Sequence, residues 1–367
     1  MEVIITTPGG DVHELQVAFE ATCGDLKVEV QNCCSVPGEE QKLISADGNI
    51  LRDEQQPLSN LPRDPEGRLS FLLVRAKPEC IYALGGMAGS HDILQAVEKF
   101  NPSTEVWDTL PPLPSSRIRF AAAMANGVIY VVGGDVKDGS PTALLQGFRT
   151  DSRFWEELPS MPTARSGCSA VSDGHGLFVL GGVAGNHALA TVERFDLETH
   201  EWQTAPPMIT RRHGLAATYL DGVIYAIGGI ADDDRDLSVV ECFNVVEHIW
   251  HPLPEMSKAK CFLGAAAACG GVWAIGGCFA DVDEDLEEMH DVERFDPVAG
   301  FWKAMPDLPS PRSHLGAVGA EDRVYVVGGG FKEGKAALVY RLSDDHSCWQ
   351  ELPPMPTARR VLTCVFG

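Results

Sequence analysis

The chain has 367 residues, 29 basic and 52 acidic, for a formal net charge of −23. That acidity argues against nucleic acid or an anionic membrane as the main partner, and no apolar run reaches membrane-spanning length, although a 44% apolar content calls for sizeable buried cores. Eleven scattered cysteines without a CxxC pair fit reduced thiols in a cytoplasmic or nuclear protein better than a disulfide framework; Cys33 and Cys34 are adjacent and poorly placed to bridge each other.

The first element, "MEVIITT", reads as a strand; it has no basic flank and is too short for a signal peptide. A "PGGD" turn leads to a second strand, "HELQVAF". A helix is expected from about Cys23 to Cys33, with Thr22 as N-cap, Asp25 three positions on, and Leu26 and Val30 facing a core. "VPGEEQ" ends the helix, "KLISADGNIL" reads as a hairpin around Asp47-Gly48, and "LSFLLVRA" closes the segment.

This order, with "VPGEEQKLI" at 36–44, "PLSNL" at 57–61 and "LSFLLVR" at 69–75, resembles ubiquitin and ubiquitin-like domains over residues 1–76. The resemblance implies a small α+β β-grasp fold. On the sheet face by which ubiquitin meets its receptors, Ile44 and Leu72 match, whereas Pro8 and Ser70 stand where ubiquitin has Leu and His. Two extra residues precede Pro57-Leu58, and the chain runs on through Arg75, Ala76, Lys77 and Pro78 without a Gly-Gly terminus, so conjugation like that of ubiquitin is not expected.

Beyond residue 77 the sequence repeats itself. Glycine pairs begin at 85, 133, 181, 228, 276 and 328, each ending a β-branched or aromatic run such as "VIYVVGG". A tryptophan follows each pair: Trp107, Trp155, Trp202, Trp250, Trp302 and Trp349. An aromatic residue precedes it by seven positions in five copies (Phe100, Phe148, Phe195, Phe243, Phe295) and by nine in the last (Tyr340). Each unit of about 50 residues reads as four short strands, which is the pattern of a propeller blade. The paired glycines are expected where the backbone takes unusual φ or passes close to the Trp and Phe rings of the blade.

In copies two to six a basic residue lies 16 positions before the glycine pair: Arg117, Arg165, Arg212, Lys260 and Arg312. The first pair lacks such a strand, but the C-terminus ends "ARRVLTCVFG", and joining Gly367 to Pro78 restores the spacing from Arg359. The last strand is therefore expected to complete the first blade and remove the open edges. The glycine pairs, the "VERFD" and "VECFN" strands and the spaced tryptophans resemble the kelch repeat, which implies that residues 78–367 form an all-β six-bladed kelch β-propeller closed by the C-terminal strand.

Sixfold placement puts Arg117, Arg165, Arg212, Lys260, Arg312 and Arg359 on one rim of the channel, with His213 and His314 nearby. Two readings stand. In kelch adaptors arginines at this strand entry contact acidic partner segments, and guanidinium forks suit carboxylates; the alternative is that they tie neighbouring blades together through Glu98, Glu193, Glu241 and Glu293. The acidic insertion holding Asp281, Asp283, Glu284, Asp285, Glu287 and Glu288 lacks the spacing of a calcium loop and reads as a solvated rim loop, as does "IADDDRD" at 230–236. Cys242, Cys261, Cys269 and Cys278 lack zinc-ligand spacing and are expected to fill cores. No metal or cofactor is expected.

These features point to a non-enzymatic interaction adaptor and monomer, with no BTB-type segment ahead of the repeats. Its propeller would bind a protein client with an acidic segment, and its ubiquitin-like domain would couple that client to ubiquitin, ligase or proteasome machinery. A sugar mutarotase or epimerase built on ring arginines and a channel carboxylate is the enzymatic alternative, and a cytoskeletal scaffold the structural one.

Overall fold

The computed structural model describes all residues except 9, 35, 37–40, 48, 52–54, 76–78, 90–91, 281–285, 321 and 331–335. The chain divides into two units, Met1–Glu79 and Cys80–Gly367.

In the first unit β1 (Glu2–Thr6), β2 (Val12–Gln16), β3 (Gln41–Ser45) and β4 (Leu69–Arg75) form one mixed sheet in the order β2-β1-β4-β3. β1 runs parallel to β4, while the two outer strands pair antiparallel. The helix α1 (Cys23–Cys34) starts at a reciprocal cap: the Thr22 backbone N–H donates to Asp25 Oδ2 at 2.8 Å and the Asp25 N–H to Thr22 Oγ1 at 3.3 Å. Alternation along the strands sends Val3, Ile5, Leu43, Leu69, Phe71 and Leu73 inward, where they meet Leu26 and Val30 of the helix. Ile44 and Leu72 are cross-strand partners on the other face. Glycine 48, in the expected hairpin, lies outside the described residues.

The second unit contains six four-stranded antiparallel sheets, consistent with a kelch-type propeller, and we call them blades 1–6 in the order of their glycine pairs. Their innermost strands are Thr363–Phe366, Ala121–Ala125, Ser169–Ser172, Ala216–Leu220, Gly264–Ala268 and Gly316–Ala320. Each touches the next in cyclic order, and the strand from the C-terminus meets both blade 6 and blade 2. In blade 1 it pairs with Ile81–Leu84 in the register Thr363↔Leu84 to Phe366↔Ile81, so the expected closing strand is present.

The indole N–H of each repeat tryptophan donates to a proline carbonyl in the turn leaving the preceding blade. The six bonds measure 2.7–3.0 Å and run from Trp107→Pro353 to Trp349→Pro306. In blades 1–5 the same indole packs against the phenylalanine seven residues before it, with ring centroids 4.9–5.3 Å apart. The paired glycines have another neighbour than expected. Both carry positive φ, and a Cβ on Gly133 would stand 2.7 Å from the carbonyl oxygen of Arg165, the ladder residue of the next blade. Only at Gly85 is an aromatic ring, Phe120, the nearest obstacle. The glycines are therefore required by backbone passing backbone.

Candidate functional site

The six ladder residues Arg117, Arg165, Arg212, Lys260, Arg312 and Arg359 are each 0% exposed, which overturns their assignment as a partner-binding rim. Their heads are consumed internally. Arg212 Nη1 donates to the carbonyls of Gly228 (3.0 Å) and Val239 (2.9 Å), and its Nη2 pairs with Glu241 at 2.5 Å. Arg165 does the same with Gly181, Thr191 and Glu193, and Arg359 with Gly85, Ala96 and Glu98. Lys260 pairs with Asp291 and Glu293, and Arg117 with Gln146, which replaces the glutamate. Arg312 lies over the Tyr340 ring, 4.9 Å from its centroid. These contacts stay within one blade rather than crossing between two. The blade-to-blade link comes from the other side of each glutamate: Glu241 accepts the N–H groups of Ile209 and Thr210, Glu193 the Thr163 hydroxyl, and Glu98 that of Thr357, all in the turn arriving from the previous blade.

Two positions after each ladder residue lies a second sixfold set: Arg119, Gly167, Gly214, Phe262, His314 and Val361. Their backbones form a belt, because the N–H of Gly167 donates to Arg119 O, that of Gly214 to Gly167 O, and so on through Phe262, His314 and Val361, at 2.8–3.0 Å. All six have φ between 48° and 60°. That left-handed region suits glycine, and four of the six are other residues, including a β-branched valine. The same conformation recurs in all six blades, which makes the belt the candidate site.

The belt borders a cavity of about 180 Å³ on the channel axis. Below it the walls are largely small side chains, such as Ala121, Ser169, Ala216 and Thr363. Among the described lining residues there is no carboxylate; Arg119 and His314 bring the basic groups. Phe262 and His314 stack with centroids 4.1 Å apart and planes 16° from parallel. Arg119 is 41% exposed at its side chain and donates from Nε to the buried Asp135 at 2.6 Å. Burial, with the Arg360 and Arg119 charges adding to it, pushes His314 down to about 3. His213 is half-buried and shifts the same way, through burial and then Arg119. Burial pushes the Cys168 and Cys364 thiols up to about 11 and 12, so the cavity's sulfurs stay protonated.

The structure thus keeps His213 and His314 near the mouth, removes the six ladder residues from it, and adds Phe262 and Val361. On the acidic insertion, 281–285 lie outside the described residues; Glu287 is exposed and Glu288 accepts from the Ser313 N–H at 3.0 Å. Cys261 and Cys278 are buried, and the half-buried Cys242 and Cys269 pack against the cores of their blades. On the first unit, Ile44, Ser70 and Leu72 share the outward face of the sheet, with Leu72 39% exposed, while Pro8 is exposed in the β1–β2 turn.

Six four-stranded antiparallel sheets with these repeats are the pattern of a kelch-repeat protein. The family model of the KLHDC2/KLHL20/DRC7 Kelch-repeats domain matches residues 71–270, and the chain belongs to that family. It is similar to Kelch-like protein 40a of Danio rerio (44% identity over 68 residues, 18% of this chain and 11% of that protein) and to human Kelch-like protein 33 (39% over 83 residues, 22% and 14%). Alpha-scruin of Limulus polyphemus is 38% identical over 61 residues, 17% of this chain and 7% of that protein. The matched segments span between 7% and 14% of these relatives' lengths. Among solved structures, that titled "Structure of YjhT" shares the fold with a TM-score of 0.63 at 15% identity, covering 73% of this chain and 96% of that one.

Proposed function

We propose that the chain is a non-enzymatic interaction adaptor whose six-bladed propeller seats a segment of a client protein at the channel mouth. In this reading the first unit is a ubiquitin-like domain that couples the client to ubiquitin–proteasome machinery. Kelch-repeat domains generally bind protein partners, which supports the first half. The observation that carries it is the belt: residues from all six blades converge there, and Arg119, Phe262 and His314 bring charge and aromatic surface to one mouth. Arg119 suits an acidic group on the client, so that preference moves from the buried ladder to the mouth. The mixed sheet with one capped helix and the Ile44–Leu72 pair on its open face support the second half. The sugar-converting alternative is the weaker reading, because it needs a channel carboxylate and the described cavity residues supply none.

Comparative affinity capture with the full chain tests both halves. Arg119→Gln with Phe262→Ala should remove one set of partners, the glutamine keeping a donor for Asp135. Ile44→Ala with Leu72→Ala should remove ubiquitin-pathway proteins and leave that first set bound. If the mouth variant captures every partner of the parent chain, clients do not bind at the belt.

A further inference from the structure

We propose that His13, Cys33 and Cys34 of the first unit form a binding site for a thiophilic divalent metal ion of the Zn²⁺ type. His13 stands on β2, and the two cysteines close the last turn of α1. One ligand atom from each lies within 4.8 Å of the other two, and the two sulfurs are 3.1 Å apart.

These spacings can be set against what a metal demands. With Zn–S bonds of about 2.3 Å and a Zn–N bond of about 2.0–2.1 Å in tetrahedral geometry, the sulfurs stand about 3.8 Å apart and each lies about 3.6 Å from the nitrogen. The triangle already present differs from that arrangement by side-chain rotations at a helix end, where Cys33 is exposed and Cys34 and His13 are half-buried. Two sulfurs and an imidazole select zinc and softer ions over calcium or magnesium, which take oxygen ligands. Three protein ligands leave one tetrahedral position for water. On binding, each thiol gives up its proton to solvent and its sulfur lone pair to the metal, with no change of oxidation state.

No sequence motif announces the site, because its ligands are 20 residues apart and come from two elements. Adjacent cysteines lack the CxxC spacing that usually reports zinc. The site forms only when α1 packs across the sheet and brings its last turn to the edge strand β2.

The test is Zn²⁺ binding to the full-length reduced chain, read by competition with a chromophoric chelator and by alkylation mapped with mass spectrometry. Zn²⁺ should protect Cys33 and Cys34 from alkylation, and Co²⁺ in its place should give a thiolate charge-transfer band. Cys33→Ser with Cys34→Ser should abolish that equivalent of metal, and His13→Ala should weaken it by about tenfold or more. Undiminished alkylation of both cysteines in the unmutated chain would overturn the site without relying on any variant's folding. Metal retained at full affinity by the double serine variant would overturn it too, and would place the ion elsewhere, for instance at Cys269 and His346, whose sulfur and Nε2 are 3.4 Å apart. Unchanged affinity in His13→Ala would overturn the three-ligand set.

Discussion

The basic ladder and the belt lie two positions apart in every blade, and they divide the labour of the ring. The ladder is uniform in residue type, with five arginines and a lysine, and is buried throughout. The belt is uniform only in backbone: its φ stays between 48° and 60° while its side chains run from glycine to phenylalanine. Uniform chemistry here serves the scaffold, because each blade holds one buried cation with its own carbonyl, carboxylate, amide or ring groups. Variable chemistry on a fixed backbone is what a recognition surface requires, since each blade can then present a different group to one partner.

The largest expected effect comes from removing what both layers depend on. Deleting Thr363–Gly367 strips blade 1 of its innermost strand and leaves open edges on either side of the gap. The second unit should lose its cooperative unfolding transition, as followed by circular dichroism during heating; an unchanged transition would mean that the ring does not need its clasp. Next in size is Arg212→Met, which leaves the 1% exposed Glu241 without its cation. Breaking one side of a buried pair costs about 3–5 kcal/mol, to be measured by urea denaturation. A loss below about 1 kcal/mol, the range of exposed pairs, would return the ladder to its partner-binding reading.

The repeat was legible because it is written in residue types: glycine pairs, tryptophans, their aromatic partners and the 16-residue spacing that foretold the clasp. The burial of the ladder was not, since an arginine that holds a carbonyl and one that holds a partner are the same letter. The pairing reading does name the right carboxylates, Glu98, Glu193, Glu241 and Glu293, although it sets them between neighbouring blades. Glu98, Gln146, Glu193, Glu241 and Glu293 each stand two residues before the repeat phenylalanine, in step with the ladder. Partners that recur together compensate each other. The belt escaped because φ is not a letter, and Gly167 and Gly214 alone, two of six copies, hinted at it. In the first unit the Thr22–Asp25 cap could be read locally, whereas the approach of His13 to the paired cysteines depends on packing between elements.

Acid should act on the belt through His314. The folded chain keeps this imidazole neutral down to about pH 3, while an unfolded histidine takes up its proton near 6.5. Protons therefore favour the unfolded state between those values, so stability should be level above pH 6.5 and fall as pH drops from there toward 3. His213 adds a slope of the same sign. His314→Gln should flatten the fall, measured as urea midpoints at pH 7 and pH 5; an identical slope in the variant would show that His314 titrates normally.

The finest distinction lies within the belt, between two glycines with the same φ of 60°. At Gly167 a new Cβ would meet nothing closer than the Gly214 nitrogen at 3.5 Å, an ordinary contact. At Gly214 it would stand 2.9 Å from the Phe262 ring. Gly167→Ala should thus cost only the left-handed backbone term, about 1 kcal/mol. Gly214→Ala carries that term and must also displace Phe262 from its stack with His314, so it should weaken client capture where Gly167→Ala leaves it intact. Equal capture by the two variants would mean that the client does not read the Phe262–His314 stack, and that the belt's variation between blades serves packing alone.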